Sequence, residues 1–335
     1  MTTFSRTTLF AAALLFAGAA LAQAPAAPPS AAPAAPRPAT PAGPPAQGVG
    51  GGGGAFVGPA APKQASPAVT VKDTGLAGTQ SVKYDLYFDR YLLGNSGGYI
   101  TTINPDTQKP DQVKFIENGK NGAELTSATG IYIRDGMLYV ADATKGVRVF
   151  DLITGKQAAK YDIPGAIALT GVAVTADRII FVADSGKTAA DGAIYKIAAD
   201  GKVSKIASGA ATKRPVGVDI NINRLDKPGG TATLTYVTAD ASDLVTIDQT
   251  GKEISRTDLK VGKLNSVTYT DNGFVIAEGQ DGTTYYIDVY GHPVKLQQGV
   301  MGGAGVAWDW VRNKLLVAQP SAGLVIAPGP VVSGY

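Results

Sequence analysis

The chain has no cysteine and one histidine in 335 residues. The first absence excludes disulfides, thiolate metal sites, a cysteine nucleophile, haem attachment through cysteine and lipid attachment at an N-terminal cysteine. The second leaves no histidine triad and no multi-histidine metal centre. His292 itself falls between Gly291 and Pro293 in an expected hairpin turn, a place for an exposed residue rather than a catalytic base. Lys and Arg total 30 against 27 Asp and Glu, with the signs interspersed. A net charge of +3 without a basic stripe gives no nucleic-acid footprint and no anionic-membrane face.

What is present begins with a leader. Arg6 precedes an apolar run from Leu9 to Leu21, too short and Ala-rich to span a bilayer comfortably. Ala20-Leu21-Ala22 fits a small-x-small cleavage site, so residues 1–22 read as a secretory signal and Gln23 as the mature N-terminus. No transmembrane segment is expected in the mature chain. Residues 23–67 are mostly Ala, Pro and Gly and read as a disordered tether, semi-rigid where Pro-rich and flexible at Gly48 to Gly54. The glycine run lacks the Lys-Ser/Thr of a phosphate loop and follows no strand. Residues 68–328 then form the folded domain, and 329–335 a tail.

From about residue 82 the chain repeats itself. The clearest copy is Gly130-Ile131-Tyr132-Ile133, Met137-Leu138-Tyr139-Val140-Ala141-Asp142, Gly146 to Asp151, and a Thr154-Gly155-Lys156 turn. Further copies start at Gly171, Val216, Asn265 and Ala304, and a weaker one runs from Arg90 to Ile116. Each holds short β-rich apolar runs bounded by Gly, Asp and Asn, the pattern of strands joined by hairpins. A four-stranded unit cannot bury both of its faces alone, and a ring of units can. The spacing of about forty to fifty residues is the propeller range. The expected fold is therefore all-β, a six-bladed β-propeller of four-stranded blades. The last unit lacks a fourth strand, and Ala68 to Lys72 is the segment placed to supply it and close the ring.

The pattern x-Gly-Ile/Val, Leu-Tyr-Val-Ala-Asp, Gly-x-x-x-Phe-Asp, x-Gly-Lys resembles the six-bladed NHL and senescence-marker-protein/gluconolactonase-like propellers over roughly residues 82–328. The resemblance implies one divalent cation, calcium or zinc, held near the top of the central channel by Glu, Asn and Asp just before the first strands. At those positions stand Thr129, Thr170, Val216, Asn265 and Ala304, of which Asn265 alone matches a ligand type.

A second polar set ends the second strands: Asn95, Asp142, Asp184, Asp240, Glu278 and Gln319. Repetition puts them on one rim. Such a ring is a candidate cation site at Asp142, Asp184, Asp240 and Glu278, though each residue more simply caps a tight loop through local backbone amides. Other candidate ligand or partner contacts are Lys213 and Arg214 ahead of a first strand, Arg224 in the insert from Asn223 to Thr231, and Trp308 with Trp310, which alternate around Asp309 and so share a face. Solvated loops and core packing are the plainer readings of these. The function expected is an exported, non-catalytic propeller binding an envelope protein or a small ligand. The alternative is a divalent-metal-dependent lactonase-type hydrolase.

Overall fold

The computed structural model describes residues 68–220, 231–270, 275–288, 290–297 and 303–329. The leader, the tether, most of the insert with Arg224, and residues 330–335 lie outside the described residues. Among the described residues no helix is long and apolar enough to cross a membrane.

The strands form six four-stranded antiparallel sheets. Blade 1 comprises Thr79–Asp85, Arg90–Asn95, Tyr99–Asn104 and Lys109–Glu117. Blade 2 comprises Ala128–Arg134, Met137–Asp142, Gly146–Asp151 and Gln157–Asp162. Blade 3 has Leu169–Val174, Ile180–Asp184, Ala193–Ile197 and Val203–Ser208, and blade 4 has Pro215–Ile220, Leu234–Thr238, Asp243–Ile247 and Glu253–Asp258. Blade 5 runs through Leu264–Tyr269, Val275–Gly279, Thr284–Ile287 and Pro293–Gln297. Blade 6 takes Gly305–Asp309, Lys314–Gln319 and Gly323–Pro328 from the C-terminal end and its outer strand, Val69–Val71, from the N-terminal end. In each blade the first strand is innermost.

Local chemistry explains the hairpins. Asp135 and Gly136 both have positive φ (50° and 73°), a two-residue turn whose twist matches the strands it joins. In the Thr-Gly-Lys turn, Asp151 accepts from the backbone N–H of Ile153 (3.0 Å) and Thr154 (2.7 Å), and Asp248 does the same for Thr250 (2.8 Å). The second strands are covered on both faces. Ile180–Asp184 and Leu234–Thr238 are buried at every position, while the outer strand Gln157–Asp162 alternates half-buried and exposed. The apolar core is thus a set of layers between blades rather than one central core.

The expected ring closure is present. Val69, Thr70 and Val71 pair antiparallel with Ile326, Val325 and Leu324. Val71 and Leu76 are buried among Leu316, Leu324 and Val82, so the closing segment joins blade 6 to blade 1 through packing as well as backbone hydrogen bonds. Burial of those two side chains alone contributes about 1.5–3 kcal/mol each. A chain beginning at Thr74 should melt well below the parent in a thermal scan, and an unchanged melting temperature would mean that this strand does not close the ring.

Candidate functional site

Six inner strands surround the axis. Near their upper ends the backbones touch. A Cβ added to Gly130 would lie 2.8 Å from Gly171 Cα, and one added to Gly171 would lie 2.9 Å from Gly217 Cα. Only about 40 Å³ remains open on the axis there, between Ser81, Gly130, Gly171, Gly217, Ser266 and Gly305.

Just before this constriction the inner strands carry register shifts, at Thr79/Ser81, Ala128/Gly130, Leu169/Gly171, Val216/Val218 and Leu264/Ser266. A bulge re-aims its extra residue, and in blades 2, 3 and 5 that residue is one the family resemblance singles out: Thr129, Thr170 and Asn265. Thr129 Oγ1 lies 2.7 Å from Leu169 O of the next blade and 3.0 Å from Ala141 O of its own, and Thr170 Oγ1 lies 3.4 Å from both Pro215 O of the next blade and Ala183 O of its own. Asn265 Nδ2 donates to Gly303 O (2.7 Å), immediately ahead of blade 6. The bulge side chains therefore tie one blade to the next. A hard divalent cation needs several oxygen ligands carrying negative charge, and hydroxyls and one amide do not fit that demand.

The expected acidic ring is corrected by the register. Asp142 and Asp184 do occupy equivalent places, and both are buried. Asp142 accepts from Thr126 Oγ1 (2.5 Å) and Ser127 N (2.8 Å); Asp184 accepts from Ile167 N (2.9 Å), Ala168 N (2.8 Å) and Gly186 N (2.9 Å). Asn95 likewise donates to Ala77 O (2.7 Å) and accepts from Gly97 N (2.7 Å). Each clasps the segment that leads into its own blade. The matching residue of blade 4 is Thr238, not Asp240, which lies beyond the strand and pairs with Arg214 at 3.4 Å on the surface. In blade 5 the matching residue is Gly279. Among the described residues no three acidic or histidine side chains are grouped to hold an ion.

Glu278 is the consequence of that one-residue offset. It pairs with Ser266, so it stands where the other blades have Gly94, Ala141, Ala183 and Ala318, on the opposite sheet face from Asp142. It is fully buried, neither carboxyl oxygen has a hydrogen-bond partner, and it lies so close to Gly303 that no side chain would fit there. Its cross-strand neighbour Thr284 is also buried with an unpartnered hydroxyl. Burial pushes the Glu278 carboxyl up to about 8, so it is protonated at neutral pH.

The remaining sequence candidates disperse. Lys213 pairs with Asp243 at 3.0 Å, where Arg256 also binds at 2.7 Å, and Arg214 Nε donates to Ser185 O. Their charges are already matched by the protein's own groups. Trp308 and Trp310 do not form a shared platform: Trp308 lies within an inner strand and is half-buried, whereas Trp310 is exposed in the loop that follows.

The site that sequence reading missed lies lower on the axis. Lys83, Tyr132, Ala173, Asp219, Thr268 and Ala307 each stand two residues below the constriction and form one layer. Lys83 of blade 1 reaches Asp219 of blade 4, three blades away, with Nζ–Oδ2 at 3.2 Å, and donates to Thr268 Oγ1 at 3.2 Å. Asp219 Oδ2 also accepts from Thr268 Oγ1 (2.9 Å) and Tyr269 N (3.1 Å), and Oδ1 from Ile220 N (2.8 Å). Lys83 Nζ lies 5.5 Å from the centre of the Tyr132 ring. This crossbar roofs a cavity of about 150 Å³ bounded by Tyr84, Tyr132, Tyr269 and Trp308. The signal was available: only blades 1 and 4 carry a charge at this repeat position. A wider cleft of about 560 Å³ lies beside Thr126, Asp142, Arg148 and Asp162, where Arg148 pairs with Asp162 at 2.8 Å.

No family model and no curated protein matches the chain. The match is in shape. A gluconolactonase from Xanthomonas campestris superposes with a TM-score of 0.59 at 13% identity, over 78% of this chain and 89% of that one. Regucalcin, a calcium-binding protein from Agrobacterium tumefaciens, gives 0.59 at 15%, over 78% and 92%. Virginiamycin B lyase from Staphylococcus aureus gives 0.57 at 11%, over 78% and 98%. The fold is that of the gluconolactonase-like six-bladed propellers.

Two outcomes follow from this geometry. Asp184→Ala removes the acceptor of three backbone N–H groups, those of the half-buried Ile167 and Ala168 and the buried Gly186, and should cost about 2 kcal/mol or more, whereas Asp240→Ala on the surface should cost less than about 1 kcal/mol; equal costs in denaturant titrations would contradict the clasp. Glu278 ionises near 4.5 when unfolded and near 8 when folded. The folded state keeps a proton that the unfolded state releases between those values. Its contribution is full below about 4.5 and is lost as pH rises to about 8, by up to about 1.4 kcal/mol per unit. Glu278→Gln should therefore gain on the parent steadily from pH 5 to 8, and parallel pH profiles for the two proteins would refute this.

Proposed function

We propose that this chain is an exported, non-catalytic propeller that recognises a small ligand or an envelope protein. The observation that carries the reading is the use of the inner-strand bulges: Thr129, Thr170 and Asn265 all bring a donor to a carbonyl of the next blade or the segment leading into it, and none of the three is a carboxylate. A second support is the lower face. Leu86, Tyr87 and Phe88 of blade 1 and Trp310 and Val311 of blade 6 are exposed there, and Arg312 holds the two loops together through Asp89 (2.7 Å). Exposed apolar side chains gathered on one face mark interaction surfaces. Export rests on residues 1–22, and the tether of residues 23–67 would give the domain reach.

The likeness in fold favours a second reading, lactone hydrolysis of the gluconolactonase type with a bound divalent cation such as calcium or zinc. Asn265 and Glu278 both meet at Gly303, and they are the residues that would hold such an ion. The ion would polarise the ester carbonyl. Against it stands the thin supply of charged oxygen ligands: among the described residues no three acidic or histidine side chains are grouped to hold an ion.

One preparation separates the readings. Protein secreted with its own leader should have a mature mass beginning at Gln23. It should contain no stoichiometric metal, keep its melting temperature in EDTA, and leave simple lactones intact. A chelator-sensitive melting shift together with lactone hydrolysis would overturn the binding reading and establish the hydrolase, since an ion bound to the native state stabilises it by linkage.

A further inference from the structure

We propose that the lower face of the propeller docks on a lipid bilayer surface, with the apolar tips of its hairpins sunk into the headgroup layer. The inference concerns where the domain sits, and it holds whichever ligand or substrate the axis takes.

The segregation of apolar side chains comes first. Loops joining first to second strands and third to fourth strands lie at the lower ends of the blades, and all other connections lie at the upper ends. Eleven large apolar side chains are exposed among the described residues, seven of them in lower loops and none in an upper one. The other four are on outer strands. Upper connections do carry such residues, but Leu76, Leu125, Ile163 and Leu259 are all buried there. The lower loops leave theirs out: Tyr87 is 68% exposed, Ile153 72% and Tyr290 81%. These loops belong to blades 5, 6, 1 and 2, which are consecutive around the ring. Hairpin tips ordinarily take polar turn residues, so apolar side chains at four of them need another explanation.

Chemistry selects the occupant. The seven are one Trp, two Tyr, one Phe and three aliphatic residues. Trp and Tyr are the side chains that settle at a membrane–water interface. They stand on four separate hairpins rather than on the wall of one groove, and separate tips can each enter a deformable layer. Charge selects the kind of lipid. Arg312 binds Asp89 at 2.7 Å, Asp106 at 3.1 Å and Asp309 at 3.4 Å. Arg90 binds Asp85 at 2.9 Å and lies 4.8 Å from the centre of the Phe88 ring. Around the tips of blades 1 and 6, four carboxylates thus surround two guanidinium groups. Those tips offer no attraction for anionic lipid, and docking comes from buried apolar area. The chain itself adds direction. Val69 begins the outer strand of blade 6 at its lower end, so the leader-bearing N-terminal segment joins the domain at this face.

The mature chain beginning at Gln23 is the right protein to test, because it lacks the apolar leader. It should float with phosphatidylcholine vesicles in a density gradient, equally at about 0.1 and about 1 M salt, since screening weakens only charge attraction. Adding phosphatidylglycerol to the vesicles should not strengthen binding. Tryptophan emission should shift to the blue on adding vesicles. Trp310→Phe keeps an apolar ring, so it should still float but lose the shift. Tyr87→Ser combined with Trp310→Ser should lower the partition coefficient at least about tenfold while keeping the parent's melting temperature, as both side chains are exposed. Asp240→Ala, in an upper loop, should change neither. If the double variant fails to fold, the salt dependence and the Trp310→Phe emission still decide. No flotation, flotation abolished by salt, a blue shift retained in Trp310→Phe, or undiminished flotation of the folded double variant would each overturn the proposal. A lipid-independent dimer that the double variant dissociates would overturn it too, and would assign the face to a second copy of the chain.

Discussion

Backbone contact between neighbouring inner strands governs the rest of this molecule. Where Gly130 lies against Gly171, and Gly171 against Gly217, a single added carbon on either side would collide with main chain. The blades can approach the axis this closely only because the residues at the constriction are glycine or serine. That approach leaves the bulge residues just above within reach of the next blade's carbonyls. Thr129, Thr170 and Asn265 take up that role, and the upper axis becomes a seam.

The same tightness has the opposite effect lower down. There the strands carry full side chains, and a six-fold layer of Lys83, Tyr132, Ala173, Asp219, Thr268 and Ala307 fills the axis unevenly. A lysine and an aspartate three blades apart meet across the centre, hydrogen-bonded on all sides. Breaking either partner of this part-buried pair would leave an uncompensated charge. The crossbar also sets the roof of the cavity beneath it.

Glu278 illustrates how a repeat tolerates an exception. The position belongs to Gly or Ala in four other blades, because the sheet face there packs against the next blade. A carboxyl is accommodated only by leaving Gly303 bare and by staying protonated. Desolvation without a compensating partner is the whole cause of its raised pKa.

The amino-acid sequence by itself determined the architecture: the blade count, the strand order within each blade, the identity of the closing strand and the capping role of Asp142 and Asp184. Those properties depend on periodicity and turn chemistry, which are local and repeat six times. Three things were decided only by tertiary structure. Motif matching aligned Ala277-Glu278 with Ala141-Asp142, and it took the strand register to show the one-residue offset that turns Glu278 to the other face. Asp240 and Trp310 left their expected places because the strands end before them. The crossbar joins residues 136 apart in sequence, and no local pattern encodes which two blades of a ring face each other. That pairing follows from the number of blades and the handed closure of the ring, which exist only once the whole chain has folded.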